Sequence, residues 1–350
     1  ILQFFAQHPP NQKDEILLFY MPSTLGPCRT GQYYVFYERL FEEFGWENAL
    51  ILVCDSSNSY RELGKSFTKD AWWGVILGDF FTDIQTGLRL MAADVASALA
   101  TLDEIWKNVI QVFSTNGNVE RALEEAGRIL RGIPRRQTLA DLKKVLIVGE
   151  IFVRRDTFSV REISDFLISK NIFPKIAGIS EWLDYTDHCR WRRLQKEKKQ
   201  LGISGLLTSG KWKSHAMYHV EEFYKAMVVH KIARHLKPTG LVPDVPADMH
   251  EIVGNAEKYF IDPRLESEAT CSAGAAATGM LDGYNGTVII SPFACLPGRL
   301  VEGVYGPWAR ERHFPYIALE NDGQPYAPSV LARMEIFAHN VSRYEKQIRS

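Results

Sequence analysis

Short apolar runs alternate with segments of helical periodicity along this chain, and that alternation is its strongest constraint on fold. An apolar run at residues 16–21 is followed by apolar residues at helical spacing over 33–44 and by a second run at 49–54. Two strands joined through a helix form a βαβ unit, and its crossover makes the strands parallel. The first part of the chain is therefore predicted to be a parallel α/β unit.

The same alternation recurs in the second half of the chain. An apolar run at 144–149 precedes a helical pattern over 160–169, and a run at 286–290 precedes one around 299–310. A further strand is predicted at 316–319 and a last helix over 329–343. Strands that alternate with helices in this way predict an α/β fold of the doubly wound type.

Two long stretches between these units are helical throughout. Residues 83–131 and 181–236 contain few prolines and carry apolar residues three to four positions apart. The predicted organisation is an α/β domain over residues 1–142 that includes the helical segment 83–131, and a second α/β domain over residues 143–350 with a helical insertion at about 181–282.

Charge and hydropathy exclude several classes of protein. The 350 residues include 41 Lys or Arg and 42 Asp or Glu, and the net charge of −1 gives no electrostatic reason to expect binding to nucleic acid or to an anionic membrane. The longest apolar runs are far shorter than the ~20 residues that span a bilayer. We expect a soluble protein that binds neither nucleic acid nor membranes.

The cysteines and the start of the chain carry further information. The 5 cysteines are widely spread and include no Cys-x-x-Cys pair, which argues against a disulfide framework and favours a reducing cytoplasm. Residues 1–5 show neither a Met nor a basic leader before a long apolar stretch, so they do not form a complete signal peptide. We expect a cut or processed end, with the first domain incomplete at its N-terminus.

Two cysteines follow predicted strands in similar loops. Cys28 lies in the Gly-Pro-Cys-Arg sequence at 26–29, and Cys295 lies in the Ser-Pro-Phe-Ala-Cys-Leu-Pro-Gly sequence at 291–298. Each precedes a predicted helix, whose N-terminus stabilises a thiolate as a metal ligand or a nucleophile. Thiolate ligands suit iron–sulfur clusters or zinc. The alternative interpretation is a structural cysteine in a turn.

Charged residues follow the predicted strand at 144–149. Glu150 is a candidate general acid or base, and Arg154 is a candidate clamp for a phosphate or carboxylate. The alternative interpretation is an interdomain salt bridge, because ion-pair networks also collect charges in clefts.

The segment that contains Cys28, Met-Pro-Ser-Thr-Leu-Gly-Pro-Cys-Arg-Thr-Gly-Gln-Tyr at 21–33, resembles the Gly-Pro-Cys-Arg motif of the 2-hydroxyacyl-CoA dehydratase and benzoyl-CoA reductase family. It is most similar to the portion that follows the ATPase activase in large fused activase-related proteins. The segments at 148–154, 291–298 and 319–324 follow in the order that the family shows. The resemblance covers nearly the whole chain.

The resemblance implies a [4Fe–4S] or larger iron–sulfur cluster held by cysteines between flavodoxin-like α/β domains, with Cys28 and Cys295 as ligands. It also implies an ATP-dependent activase of the ASKHA type, separate or fused, that supplies low-potential electrons for reductive or dehydratase chemistry in anaerobic metabolism. Glu150 and Arg154 would orient the substrate or the partner. The family shows a further cysteine shortly before the first motif, but residues 1–27 contain none. The third ligand is therefore expected upstream of Ile1 or at Cys271, which is otherwise a small buried residue on a Gly/Ala-rich helix.

Two other functions stay open at this stage. The chain is alternatively a non-catalytic docking or regulatory region of a fused activase, in which the cysteines only pack. It is also compatible with an α/β module that captures a small anion through Arg29, Arg154 and backbone amides at the strand ends. A homodimer is left open.

Overall fold

The structure is a computed structural model, and it describes Gln7 and residues 16–23, 28–54, 65–244 and 248–345. Contacts divide the chain into two compact units, Ile1–Lys69 and Asp70–Ser350. Each unit contains a parallel β-sheet. The predicted α/β class is therefore confirmed.

The secondary structure of the described residues is as follows. The strands are β1 (Leu17–Pro22), β2 (Ala49–Cys54), β3 (Lys143–Gly149), β4 (Ile172–Ile176), β5 (Gly286–Pro292) and β6 (Tyr316–Asn321). The α-helices are α1 (Tyr33–Glu43), α2 (Lys65–Met91), α3 (Val95–Ser114), α4 (Val119–Gly132), α5 (Thr157–Ser169), α6 (Ile179–Thr208), α7 (Trp212–Leu236), α8 (Met249–Tyr259), α9 (Glu268–Leu281), α10 (Leu296–Glu311) and α11 (Pro328–Arg343).

The first unit contains the predicted βαβ arrangement. Strands β1 and β2 pair in parallel, with Leu17 opposite Ala49, and α1 forms the crossover between them. Phe41 of α1 and Ala49 of β2 are buried, and apolar side chains of both strands pack around them. The sheet and its helix thus share a small apolar core, as the alternating apolar runs predict.

The second unit contains a four-stranded parallel sheet in the order β4–β3–β5–β6. The chain leaves β3 through α5 to reach β4 on one side, and it returns through α6–α9 to place β5 on the other side of β3. The direction of the strand order therefore reverses between β3 and β5. In open α/β sheets, ligands bind at the carboxyl ends of the strands at such a point.

Strand β4 is absent from the sequence prediction. Its five residues include Pro174 and Lys175, which interrupt the apolar pattern that identifies the other strands. Proline is tolerated on an edge strand, because one side of that strand carries no partner in the sheet. Position in the sheet, rather than composition, makes this segment a strand.

The sheet of the second unit is covered on both faces. Along β3, Val145 and Ile147 pack on the side of α5 and α11, whereas Leu146 and Val148 pack on the side of α8, α9 and α10. This alternation follows from the two-residue period of a strand, and both faces are apolar because helices cover both.

The helical segments form a separate core. Helices α2, α3, α4 and α7 bury an apolar cluster that includes Ile76, Val109, Leu130 and Ile232. The helices predicted within 83–131 belong to this core, and α2 begins earlier than predicted, at Lys65. The predicted helical insertion at 181–282 corresponds to α6–α9. The division into two compact units does not test the domain boundary expected after residue 142, which stays a prediction.

Candidate functional site

The carboxyl ends of β3 and β5 lie side by side at the point where the strand order reverses. Gly149 is paired with Ile290, and the backbone N–H of Glu150 donates to the Ile290 carbonyl oxygen at 3.0 Å. Gly149 has φ +123°, and a Cβ atom there would lie 1.9 Å from that oxygen. Only glycine permits both this backbone conformation and this close approach. The segment after β3 is therefore held against the end of β5.

Cys295 lies at the N-cap of α10 and is half-buried. Its backbone N–H donates to the Pro292 carbonyl oxygen at 3.1 Å, and the N–H of Ala294 donates to Glu320 Oε1 at 3.1 Å. These bonds attach the loop to the ends of β5 and β6. The predicted placement of Cys295, between a parallel strand and a helix N-terminus, is confirmed.

Cys28 occupies the corresponding position in the first unit. It precedes the 3₁₀ turn Arg29–Gln32, which leads into α1, and it is half-buried. Gly26 and Pro27 of the Gly-Pro-Cys-Arg sequence lie outside the described residues. Because Cys28 and Cys295 belong to different units, their predicted convergence on one centre stays a prediction.

The other described thiols are buried. Cys271 lies on α9 and is 1% exposed. Burial raises the pKa of its thiol well above the ordinary value, the Glu181 carboxylate adds to this rise, and Arg154 opposes it. Burial likewise raises the pKa of the Cys189 thiol on α6. Burial therefore disfavours the thiolate form of both side chains. The side chain of Cys54 lies outside the described residues.

Arg154 is buried at the end of the segment that follows β3. Its Nη1 donates to Glu181 Oε1 at 3.0 Å, and its Nη2 donates to the Gly178 carbonyl oxygen at 3.1 Å. The side chain is 1% exposed, so a dissolved anion does not reach the guanidinium in this arrangement. Arg154 does form a salt bridge, but its partner Glu181 belongs to the same unit, so the pair is not the interdomain bridge of the alternative interpretation.

Glu150 also has a local structural contact. Its Oε2 accepts a hydrogen bond from the backbone N–H of Val153 at 2.8 Å. This bond caps the turn that leads from β3 to Arg154. The carboxylate is half-buried, and it stands beside the carboxyl group of Glu268 closely enough to affect its pKa.

Glu268, the first residue of α9, is the functional candidate that the sequence analysis missed. The backbone N–H of Ile151 donates to its carboxyl group, whereas Oε1 is shut off from solvent and has no hydrogen-bond partner among the described residues. Burial raises the pKa of Glu268 to about 8, against the influence of Arg154 and with a contribution from Glu150. The carboxyl group therefore holds a proton at neutral pH.

Arg154, Glu181 and Glu268 form one group, which we call the strand-end cluster; Arg154 is buried and the two acidic residues are half-buried. It contains one cation and two acidic side chains, and the ion pair between Arg154 and Glu181 leaves Glu268 to keep its proton. Acidic residues are common in the first turn of a helix. No sequence signal therefore distinguishes Glu268 from the acidic residues at the start of other helices. Only the packing of α9 against the end of β3 brings it to this position.

A second charge cluster, half-buried, lies between α6 and α7, and we call it the helix-pair cluster. Lys225 donates to Asp187, lies 3.4 Å from Asp184 Oδ1 and 3.9 Å from Glu222 Oε1, and stands over the Trp72 ring at 4.3 Å from its centre. Burial raises the pKa of Asp184 to about 6 and that of Glu222 to about 7. This cluster holds helices together.

The described residues allow a test of the implied iron–sulfur cluster. Cys28 and Cys295 fit by their chemistry, because each is half-buried and precedes a helical segment. Cys271 fits less well, because it is buried within α9, and its role as a third ligand stays a prediction. In the ranges that the structure describes, no three or more Cys, His, Asp or Glu side chains are grouped to hold a metal ion.

One further finding concerns the lengths and polarity of the helices, and another concerns comparisons with known proteins. In the described part, every helix is too short or too polar to pass through a bilayer. The chain matches no known family model, no curated protein and no solved structure.

Proposed function

We propose that this protein is an iron–sulfur protein of the 2-hydroxyacyl-CoA dehydratase and benzoyl-CoA reductase type, in which Cys28 and Cys295 bind the cluster. An ATP-dependent activase of the ASKHA type, separate or fused, is its electron donor. The protein acts in reductive or dehydratase chemistry in the cytoplasm. The fold that this proposal requires is flavodoxin-like.

The observation that carries the proposal is the matched position of the two thiols. Each follows a parallel strand, each stands at the start of a helical segment, and each is half-buried, whereas Cys189 and Cys271 are buried inside helices. A helix N-terminus lowers the free energy of a thiolate by its partial positive charge. These two sulfurs are thus the ones whose surroundings favour metal binding.

The strand order supports the flavodoxin-like part of the proposal. Counted along the second unit, the strands lie in the order second, first, third, fourth. The flavodoxin-like order begins in this way, and it places the ligand at the point of reversal. In this chain that point carries the Cys295 loop and the segment that leads to Arg154.

In the proposed function, the strand-end cluster holds the segment after β3 in place and keeps a proton at the end of the sheet. A bound iron–sulfur cluster supplies one-electron transfer at low potential. Arg154 holds the segment after β3 against α6, and Glu268 keeps a proton at the same end of the sheet. The anion-clamp role predicted for Arg154 fits less well, because the guanidinium is buried and bonded to Glu181.

Metal analysis of anaerobically purified protein tests the proposal. The wild-type chain should be coloured and contain iron and acid-labile sulfide. The variants Cys28→Ser and Cys295→Ser should each lose both, because each removes one ligand of an already small set. Cys189→Ser is the matched control, since it removes a buried thiol on α6 and should leave the iron content unchanged.

A colourless, iron-free wild-type protein that resists reconstitution with iron and sulfide would contradict the proposal. That result would instead favour the non-catalytic docking region, in which the cysteines only pack. Equal loss of iron in Cys189→Ser would also contradict it, because the iron would then depend on folding rather than on the two half-buried sulfurs.

A further inference from the structure

The turn between α6 and α7 combines exposed apolar side chains with local positive charge. Residues 196–220, which we call the hairpin tip, hold five lysines against one Glu, a formal charge of +4 in a chain whose net charge is −1. All five lysines are exposed. Only Lys211 is in an ion pair, with Glu197, among the residues that the structure describes.

The backbone of the hairpin tip turns apolar residues outward. Helix α6 is interrupted at Gly202, whose φ of +65° is unfavourable for other residues. Beyond it, Ile203 and Leu207 lie four positions apart on one helical face and are 72% and 59% exposed. Leu206 points inward and is 7% exposed. The interruption therefore separates a buried side of the hairpin from an exposed apolar side.

Helix α7 continues the exposed apolar surface. Trp212 is 46% exposed, Met217 53% and Val220 63%, whereas Tyr218 faces inward and is 5% exposed. The polar residues that flank these side chains are exposed as well. Exposed apolar side chains therefore occur on both helices of the hairpin tip.

We propose that the hairpin tip docks on the surface of an anionic phospholipid membrane. Lysines together with exposed Ile, Leu and Trp side chains are typical of segments that bind at the lipid headgroup level. The apolar side chains enter the acyl boundary there, and the lysines contact acidic lipids. A second copy of the chain is disfavoured as the occupant, because two tips of charge +4 repel each other. A protein partner would need an acidic groove to receive the exposed side chains, whereas a bilayer accepts them without one.

This inference goes beyond the proposed function and does not depend on it. It also corrects the argument from net charge, because a chain of charge −1 can carry a strongly positive segment when its acidic residues lie elsewhere. The binding is to the membrane surface, which agrees with the absence of a bilayer-crossing helix among the described residues.

Vesicle flotation of the full chain tests the inference. The protein should float with vesicles of equal parts phosphatidylcholine and phosphatidylserine, and it should not float with phosphatidylcholine alone. Raised salt should weaken the binding, because it screens the lysines. Lys198→Glu should weaken it by about tenfold, whereas Arg161→Glu, a matched reversal of an exposed charge on α5, should have little effect.

The apolar contribution has its own variants. Ile203→Asn should weaken vesicle binding by about tenfold, because an inserted side chain is lost. Ile336→Asn on α11 is the matched control, since Ile336 is 63% exposed and lies outside the hairpin tip. Both substitutions change exposed positions, so circular dichroism should show unchanged folding.

Two results would overturn the inference. One is a wild-type protein that does not bind the phosphatidylserine vesicles. The other is binding that Lys198→Glu weakens but Ile203→Asn leaves unchanged, because the exposed apolar side chains would then not enter the bilayer.

Discussion

The strand-end cluster and the helix-pair cluster look alike in composition but differ in place. Each surrounds one cation with carboxyl groups, and in each a carboxyl pKa is raised to near neutral or above. In each, one carboxyl oxygen, Glu268 Oε1 or Glu222 Oε1, has no hydrogen-bond partner among the described residues. The strand-end cluster lies where parallel strands end. The helix-pair cluster lies between helices and over an aromatic ring. A raised pKa alone therefore does not identify a functional site, and the position in the fold separates the two.

The cations of the two clusters should differ most in their contribution to stability. Arg154→Met should lower the free energy of unfolding by about 3–5 kcal/mol, because it leaves the half-buried Glu181 without its partner. Lys225→Met should cost about 1–3 kcal/mol, since the Lys225 side chain is 18% exposed and water partly replaces it. Urea denaturation of both variants measures the difference. Equal losses would show that the degree of burial does not distinguish the clusters.

The pH dependence of stability should report on Glu268. Its pKa is raised from 4.5 to about 8 in the folded protein, so the folded state binds the proton more tightly than the unfolded state. The resulting stabilisation is fully present below pH 4.5 and is lost as the pH rises through about 8, with a slope of up to about 1.4 kcal/mol per pH unit. Glu268→Gln removes this titration and should flatten the curve between pH 5 and pH 8.

Glu222 should show the same sign with a smaller effect. Its pKa is raised from 4.5 to about 7, so its contribution also falls as the pH rises, and it is lost through about pH 7. The side chain is 39% exposed, and water screens the interaction. Glu222→Gln should therefore flatten the stability curve less than Glu268→Gln in the same denaturation series. A larger effect at Glu222 would show that its carboxyl group is shielded from water more strongly than that of Glu268.

Much of the fold follows from local pattern. The apolar runs predict five of the six described strands, and the helix and the second strand of the first unit end within one residue of their predicted limits. The strands are recognisable because they are runs of apolar residues. In the second unit helices cover both faces of the sheet, whereas in the first unit Leu18, Tyr20 and Leu50 are exposed. Strand β4 is the exception. Its edge position tolerates a proline and a lysine, and these two residues interrupt the apolar pattern by which the other strands are predicted.

The candidate site was predicted less completely. The sequence predicts four residues that follow strands, at the edge where parallel strands place their carboxyl ends: Cys28, Cys295, Glu150 and Arg154. The sequence does not predict which acidic residues lie beside Arg154, because Glu181 and Glu268 are distant from it in sequence and have no distinctive neighbours. The sequence also cannot tell that Cys271 is buried, because small residues surround cysteines in both accessible and buried helices.

The amino-acid sequence by itself determined the α/β class, the parallel pairing and the order in which strands and loops occur, because periodicity and turn residues act over a few neighbouring positions. Tertiary structure alone decided which charges are buried together, which thiols water reaches and which apolar side chains of the α6–α7 hairpin remain exposed. These properties depend on the distances between elements that are remote in the chain, and burial changes the free energy of a charge only after those elements have packed.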